Sequence, residues 1–206
     1  MKNIYKNKIF PIVLDHVMQI GAFSKARKKL LSNISGHVVE IGFGTGLNLP
    51  FYDENKVLSL TTVDPHEGMN QLANQRIAQV NFPVIHRQLS AEHLPFDDNS
   101  IDVVVSTWTL CSIPNVEIAL AEIKRVLKPK GTFYFVEHGL SPEPQIAKWQ
   151  NRLTPIQKAI GDGCHLNRDM KRLVEQSGLT ITQCEQFNAQ NMIRLVSWMT
   201  LGQAQK

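Results

Sequence analysis

The chain has 206 residues, of which 43% are hydrophobic and 19% are charged, and this composition fits one ordinary soluble domain with a buried core. No apolar stretch approaches the roughly 20 residues that a membrane-spanning helix needs, and the amino terminus lacks the continuous apolar core of a secretory signal. The three cysteines have no C-x-x-C spacing. This spacing argues against a disulfide framework or a structural zinc site and favours a reducing, cytoplasmic location.

The net charge of +4 is unevenly distributed along the chain. Residues 1–36 contain seven basic residues and one acid, so the rest of the chain is slightly negative. A basic amino-terminal segment indicates either a solvated helix face or peripheral contact with an anionic membrane surface. Nucleic acid is not an expected partner, because no aromatic stacking residues accompany these charges.

The first elements in chain order are two predicted helices, Pro11–Gly21 and Ala22–Leu31. The first places proline in its opening turn, where a missing N–H is tolerated. Its apolar residues form a broad stripe, made of Val13, Leu14, Val17, Met18 and Ile20. The second helix is predicted to direct its lysines outward, namely Lys25, Lys28 and Lys29.

A glycine-rich turn follows the first predicted strand. Val38, Val39 and Ile41 form a buried apolar run, and glycines then alternate at Gly42, Gly44 and Gly46. The absence of a Cβ allows a sharp turn and a close ligand. The next strand, Val57–Asp64, ends in an acid, an arrangement typical of doubly wound folds in which a carboxylate binds a ribose diol.

The spacing of these glycines narrows the choice of nucleotide. G-x-G-x-G differs from the G-x-G-x-x-G of dinucleotide binders, which disfavours a nicotinamide oxidoreductase. The Lys-Ser/Thr pair of a phosphate-binding P-loop is also missing. The predicted ligand therefore need not carry a phosphate.

The middle of the chain continues the alternation of helices and strands. The predicted elements are a helix at Pro65–Val80, strands at Phe82–Arg87 and Ile101–Ser106, a helix at Val116–Leu127 and a strand at Thr132–Val136. Ligands in open α/β sheets bind at the carboxyl ends of strands. The residues predicted to wall a pocket there are Thr107, Trp108, Leu110 and Cys111, with Glu137 and His138 delivered to the same edge.

The last third of the chain is less regular. Residues 140–168 contain three prolines and a glycine-rich stretch, and are predicted to be a substrate-side insertion. Asn167 is the predicted N-cap of a helix that runs to Ser177. Two final strands are predicted at Leu179–Cys184 and Asn191–Met199.

The glycine turn with its following acid, E-I-G-x-G-x-G and then V-D, resembles the cofactor site of class I S-adenosylmethionine-dependent methyltransferases. The resemblance implies that the glycines lie along the methionine and that Asp64 holds the ribose. Ser90–Phe96 resembles the adenine loop of that family, although Ser90 stands where an acid is common. The implied cofactor-binding residues are Glu40, Gly42, Phe43, Gly44, Gly46, Asn48, Asp64, Pro65, Ser90, Ala91, Glu92 and Thr107.

The same resemblance implies a fold and a domain organisation. The expected fold is α/β and Rossmann-like, a three-layer sandwich with a mostly parallel seven-stranded sheet whose final pair is partly antiparallel. Residues 1–206 form a single methyltransferase domain, with amino-terminal helices over 1–36. Its cofactor would be S-adenosylmethionine.

Further motifs are similar to the group often labelled methyltransferase type 11, which includes membrane-attached thiol methyltransferases. The matching stretches are Gly46–Tyr52, Trp108–Pro114, Phe135–Gly139 and Gly163–Asp169. This resemblance implies a small lipophilic acceptor, with a thiol favoured. Those thiol methyltransferases carry an apolar amino-terminal anchor, but no comparable apolar stretch is expected here, so membrane insertion is not carried over. The alternatives are a phospholipid amine, a quinone-type ring, or a module that binds S-adenosylmethionine without catalysis.

A nucleophilic acceptor must lose a proton, which calls for a base. His138 is the first candidate, with a structural, hydrogen-bonded role as the alternative. His165 and Asp162 in the insertion are further candidates, although Asp162 also fits a turn. Cys111 and Cys164 are expected either to face the substrate or to be small buried hydrophobes, and Trp108 and Trp149 to wall the pocket or the core. No cluster of acids implies a metal, and the sequence does not indicate the oligomeric state.

Overall fold

The computed structural model describes residues 10–66 and 70–206. Residues 1–9 of the predicted amino-terminal segment, and residues 67–69 of the predicted helix 65–80, lie outside the described residues. The helices are α1 Phe10–Met18, α2 Gly21–Leu31, α3 Asn70–Ile77, α4 Val116–Val126, α5 Pro144–Ile160 and α6 Met170–Gln176. The strands are β1 Gly36–Ile41, β2 Val57–Val63, β3 Val84–Arg87, β4 Ile101–Thr107, β5 Leu127–His138, β6 Thr180–Asn188 and β7 Trp198–Gln205.

The seven strands form one sheet in the order β3-β2-β1-β4-β5-β7-β6. The first five strands are parallel, and β7 runs antiparallel to both β5 and β6. The prediction of a mostly parallel seven-stranded sheet with an antiparallel final pair is therefore confirmed. Register aligns Ile41 with Val63 and Ser106, and Thr107 with Val136, so four strands end at one edge of the sheet.

The sheet separates two apolar layers, because alternate strand residues point to opposite faces. On one face, Val39 and Val104 belong to a buried cluster with α4. On the other face, Val38 and Val105 belong to a cluster with α2. Helix α4 shows the pattern clearly, since its buried residues recur at helical spacing, at Val116, Ala119, Leu120, Ile123 and Val126. Full burial of each large aliphatic side chain contributes about 1.5–3 kcal/mol.

The predicted insertion contains a 17-residue helix, α5. The prolines of this region suggested irregular structure, but Pro144 lies in the first turn of α5, where no N–H is required. Pro155 lies inside the helix. No described helix, including α5, is both long and apolar enough to cross a bilayer.

Three sequence predictions near the carboxyl terminus are wrong. Asp169 rather than Asn167 caps α6, since its side chain accepts a hydrogen bond from the Arg172 N–H. The last strand begins at Trp198 rather than at 191, because residues 189–197 form a loop closed by backbone hydrogen bonds. Trp149 walls neither pocket nor core, because its side chain is 51% exposed.

Candidate active site

A cavity of about 850 Å³ opens at the edge where β1, β2, β4 and β5 end. Most of the site residues predicted from the sequence line it, namely Gly42, Phe43, Gly44, Asn48, Asp64, Pro65, Ser90, Ala91, Glu92, Thr107, Trp108, Cys111, His138, Asp162 and Cys164. Four predicted residues are not among those that line it, namely Glu40, Gly46, Leu110 and His165. Leu110 is fully buried in the core beneath the site, so the prediction that it walls the pocket is wrong.

The glycine turn is pressed against the loop that follows β4. Gly42 has a φ of +74°, a left-handed conformation that glycine adopts without strain. A Cβ on Gly42 would lie 1.9 Å from the Thr109 Oγ1 and 2.5 Å from its Cβ. Only glycine therefore permits this approach, and the turn separates the β2 side of the cavity from the β4 side.

Asp64 is held in place by its neighbours at the end of β2. The Gly44 N–H donates to its Oδ2 over 2.8 Å, and the His66 N–H donates to its Oδ1 over 2.9 Å. Burial would raise the pKa of Asp64, but hydrogen bonds from the His66 side chain and from the two N–H groups lower it below its usual value. Asp64 is thus an ionised acceptor on the cavity wall, the property needed to bind ribose hydroxyls.

Glu40 lies behind the cavity wall and organises it. It is 1% exposed, and it accepts hydrogen bonds from the Tyr52 hydroxyl at 2.6 Å and the Asn48 amide at 3.0 Å. Burial raises the pKa of Glu40 to about 7. The Asn48 amide also contacts the Thr107 hydroxyl over 3.0 Å. Asn48 and Thr107 both line the cavity, so Glu40 acts on it by positioning them rather than by facing a ligand.

The amino-terminal helices cover this side of the cavity through residues that the sequence analysis missed. Asp15 of α1 pairs with Arg76 at 2.7 Å and accepts a hydrogen bond from the Thr45 hydroxyl. Arg27 of α2 is 3% exposed, donates to the Asn48 Oδ1 over 2.9 Å and lies 4.8 Å from the centre of the Trp108 ring. Asp15 is the only acid among residues 1–36. A single acid in an otherwise apolar helix was the sequence feature from which a buried ion pair could have been predicted.

The loop at residues 90–92 has its polar groups engaged internally. The Glu92 N–H donates to the Ser90 Oγ over 3.2 Å, and that hydroxyl also contacts the Glu92 carboxylate. The carboxylate in turn accepts from the Asn115 N–H over 2.8 Å. The predicted use of the Glu92 N–H for adenine would require that amide to leave its present partner, whereas Ala91 packs as part of the apolar wall.

The loop after β4 is fixed by a single buried carboxylate from β5. Glu137 is fully buried and accepts hydrogen bonds from three successive backbone N–H groups, those of Thr109, Leu110 and Cys111, at 2.8, 2.9 and 3.4 Å. Burial raises the pKa of Glu137, and these donors oppose the rise. The loop at residues 109–111 is therefore held by Glu137 at three successive N–H groups.

Trp108, the residue just before this loop, has a φ of +50°, which is a strained backbone conformation for a residue that has a Cβ.

Two cysteines and one histidine meet at the β5 end of the cavity. The His138 Nε2 lies 3.1 Å from the Cys164 Sγ, and the donor atoms of Cys111, His138 and Cys164 all lie within 4.8 Å of one another. Burial would lower the pKa of His138, but the contact with Cys164 raises it. Hydrogen bonds from Cys111 and His138 lower the pKa of Cys164, which favours its thiolate form near neutral pH.

The other predicted catalytic residues are engaged elsewhere. His165 contacts the Cys111 carbonyl oxygen through its Nδ1 at 3.1 Å and its backbone N–H at 2.8 Å. Asp162 has a φ of +50° and forms an ion pair with the His66 Nε2 at 2.6 Å. The resulting bridge, Asp64–His66–Asp162, joins the β2 edge to the 161–164 segment. Its carboxylates raise the pKa of His66 to about 10.

Comparisons with known proteins agree with this geometry. Residues 39–135 match a family described as a methyltransferase domain. The chain is 36% identical to thiol S-methyltransferase TMT1B of Rattus norvegicus over 72% of its length, and it spans only 62% of that relative. It is 33% identical to thiol S-methyltransferase TMT1A of Homo sapiens, over 97% of this chain and 86% of the relative.

A solved structure extends the likeness to the fold. An S-adenosylmethionine-dependent methyltransferase from Mesorhizobium loti superposes with a TM-score of 0.67 at 18% identity, covering 92% of this chain and all of that one. The matching fold and the ionised Asp64 on the cavity wall both fit S-adenosylmethionine as the bound cofactor. The chain therefore belongs to the S-adenosylmethionine-dependent methyltransferases of the class I fold.

Proposed function

We propose that this methyltransferase acts on the sulfur of a small lipophilic thiol. The observation that carries the proposal is the character of the cavity wall at the end of β5, where Cys111, His138 and Cys164 meet. Sulfur is polarizable and a weak hydrogen-bonding group, so a thiol suits a wall built from cysteines and apolar groups. The two relatives named as thiol S-methyltransferases support the same acceptor.

The strand order supports placing the acceptor beside these residues. Asp64 follows β2 and His138 ends β5, and two strands, β1 and β4, lie between them. At about 4.8 Å per strand, the two residues are separated by about 14 Å along the sheet edge. A nucleoside held by Asp64 would reach His138 by extending along this edge of the sheet, past β1 and β4.

The reaction requires three things of the protein, namely that it binds the reactants, excludes water and favours the thiolate form of the acceptor. S-adenosylmethionine supplies an electrophilic methyl group on a sulfonium. Asp64 and the Gly42–Gly46 turn hold the cofactor, while the apolar walls exclude water from the reacting centre. A thiol attacks as its thiolate. A protonated His138 favours that thiolate by its charge, and proximity supplies much of the remaining rate enhancement.

The test is turnover of the full chain with a panel of acceptors. The panel contains an alkyl thiol (1-butanethiol), phosphatidylethanolamine vesicles and a hydroquinone. We expect S-adenosylhomocysteine release and a methyl thioether product with the thiol alone. The His138→Gln variant should lose most of this activity, whereas His37→Gln, at an exposed site on β1, should keep it. Methylation of the lipid amine or the hydroquinone with none of the thiol would overturn the proposal.

We also propose that the chain makes peripheral contact with an anionic membrane through its amino-terminal helices. Apolar side chains of α1 and of the turn between α1 and α2 are largely exposed, at 63% for Ile12, 54% for Val13 and 44% for Ile20. Exposed Lys25, Lys28 and Lys29 of α2 follow them in the chain. An apolar face combined with lysines is typical of helices that lie in a membrane interface.

Co-sedimentation with vesicles tests this contact. We expect binding to vesicles that contain phosphatidylserine, weaker binding to phosphatidylcholine alone, and further weakening by salt. Replacement of Ile12 and Val13 by serine should reduce binding, while serine at the exposed Ile118 of α4 should not. Equal binding by both variants would contradict the proposal.

A further inference from the structure

The Cys111, His138 and Cys164 cluster has the composition of a metal site as well as of an acceptor wall. Its three donor atoms, two thiol sulfurs and one imidazole nitrogen, lie within 4.8 Å of one another. They come from three separate parts of the chain, namely the loop after β4, the end of β5 and the 161–164 segment. All three residues line the cavity, so an ion held between them would be open to solvent and substrate on one side.

The backbone around the two cysteines is fixed in advance. Glu137 holds the Cys111 N–H, and the Cys111 carbonyl accepts the His165 N–H at 2.8 Å. A Cβ on Gly163 would lie 2.9 Å from the Ser112 carbonyl oxygen, so a glycine at 163 lets the two loops pack closely. The cysteine-bearing loops are therefore joined directly beside both sulfurs, as a preorganised ligand set requires.

The His138 ring is oriented with its Nε2 toward Cys164. His138 is 7% exposed, and its buried Nδ1 has no hydrogen-bond partner among the described residues. Its Nε2 is directed at the Cys164 sulfur over 3.1 Å. The ring thus has one polar contact, and that contact points to the place where an ion bound to both cysteines would lie.

We propose that Cys111, His138 and Cys164 bind one zinc ion and leave its fourth position open to the cavity. Two thiolates and one imidazole with an open position are an established ligand set for catalytic zinc. Thiolate ligands disfavour Mg²⁺ and Ca²⁺, which prefer oxygen. The short spacings that mark zinc sites in sequences are absent here, because the three ligands are far apart along the chain.

The role of this ion rests on the proposed thiol acceptor. In the zinc-bound protein His138 is a neutral ligand, and the charge of the ion takes the place of a protonated His138 in favouring the thiolate. The acceptor thiol binds zinc at the open position as a thiolate and releases its proton to solvent. Its sulfur then forms a bond to the methyl carbon while the carbon–sulfonium bond breaks, and that electron pair stays on the sulfur of S-adenosylhomocysteine. The thioether product is a weaker ligand than the thiolate, and it leaves the ion.

Metal binding by the purified full chain tests the site without relying on turnover. After removal of metal with a chelating resin, we expect the chain to rebind one Zn²⁺ per molecule. Substituted Co²⁺ should give thiolate-to-metal charge-transfer absorption and the visible bands of a tetrahedral ion. Cys164→Ser should weaken zinc binding by more than about 100-fold, and any Co²⁺ that it still binds should show about half of this absorption, since Cys111 remains. Cys184→Ser, at an exposed cysteine outside the cluster, should change neither.

Each result bears on either the ion or the acceptor. Failure of the wild-type chain to bind zinc, or equal binding by Cys164→Ser and Cys184→Ser, overturns the metal site. Thiol methylation that persists at full rate in zinc-free protein overturns the role of the ion and leaves the proposed function intact. Zinc binding through Cys164, with no methylation of any thiol, supports the site and overturns the acceptor instead.

Discussion

Replacement of Gly42 by alanine should destabilise the protein by two separable effects. The φ of +74° costs a residue with a Cβ about 1–2 kcal/mol. The new methyl group would also lie 1.9–2.5 Å from three side-chain atoms of Thr109. Rotation of Thr109 cannot relieve this overlap, because its Cβ is one of the three atoms. Displacement of the loop adds about 1–3 kcal/mol, for a total of about 2–5 kcal/mol.

Gly36→Ala is the matched control for this substitution. Gly36 has a similar φ of +84°, but a Cβ there would meet nothing nearer than 3.9 Å. It should cost about 1–2 kcal/mol from backbone strain alone. At about 2–4 °C per kcal/mol for a chain of this size, Gly42→Ala should unfold about 4–20 °C below the wild type.

Thermal unfolding with and without S-adenosylhomocysteine measures both consequences. Gly42 lines the cavity and Gly36 does not, so the increase in melting temperature caused by S-adenosylhomocysteine should shrink in Gly42→Ala only. Equal melting temperatures for the two variants would refute the steric argument. An unchanged ligand effect in Gly42→Ala would refute the placement of the cofactor along this turn.

Three further substitutions have defined outcomes. Tyr52→Phe leaves a buried oxygen of Glu40 without its donor and should cost about 1–3 kcal/mol in urea denaturation. Since the pKa of Glu40 is about 7, this loss should be larger at pH 8 than at pH 5, and equal losses would contradict the assignment. The pKa of His66 is raised from 6.5 to about 10, so its ion pairs contribute fully below pH 6.5 and are lost as pH rises to 10. Wild-type protein should lose about 1 kcal/mol more than His66→Gln over that range, a value kept small because the His66 side chain is half exposed. Asp64→Asn should weaken S-adenosylhomocysteine binding about 10–100-fold by calorimetry, and an unchanged affinity would exclude Asp64 from the site.

The fold was largely predictable because its signals are local. The apolar run before Gly42 and the helical spacing of α4 indicated their elements directly. The carboxyl-terminal region was less predictable, because the loop at 189–197 contains apolar residues typical of a strand. Only the pairing of β7 with β5 and β6 shows that the strand begins at Trp198. Helix α5 was not predicted, and it continues through Pro155, because tertiary packing can override local propensity.

The cofactor side of the site was also readable, since Gly42, Gly44 and Asp64 lie within one strand–turn–strand unit. The acceptor side was not, because it depends on residues brought together from distant positions. The contact of His66 with Asp162 and the approach of Cys164 to His138 have no signature in spacing. Arg27 entered the sequence analysis only through the net charge of residues 1–36, and only the packing of α2 shows that it is buried beside Trp108.

The bridge from Asp64 through His66 to Asp162 has a kinetic consequence for the enzyme. A ribose that binds Asp64 competes with the imidazole for the same carboxylate, so cofactor entry weakens one end of the bridge. The His66–Asp162 ion pair does not involve the Asp64 carboxylate, so the 161–164 segment, which carries Cys164, stays tied to the β2 edge while the cofactor binds. We therefore expect the acceptor side of the cavity to be formed with or without the cofactor, and expect no compulsory order of addition.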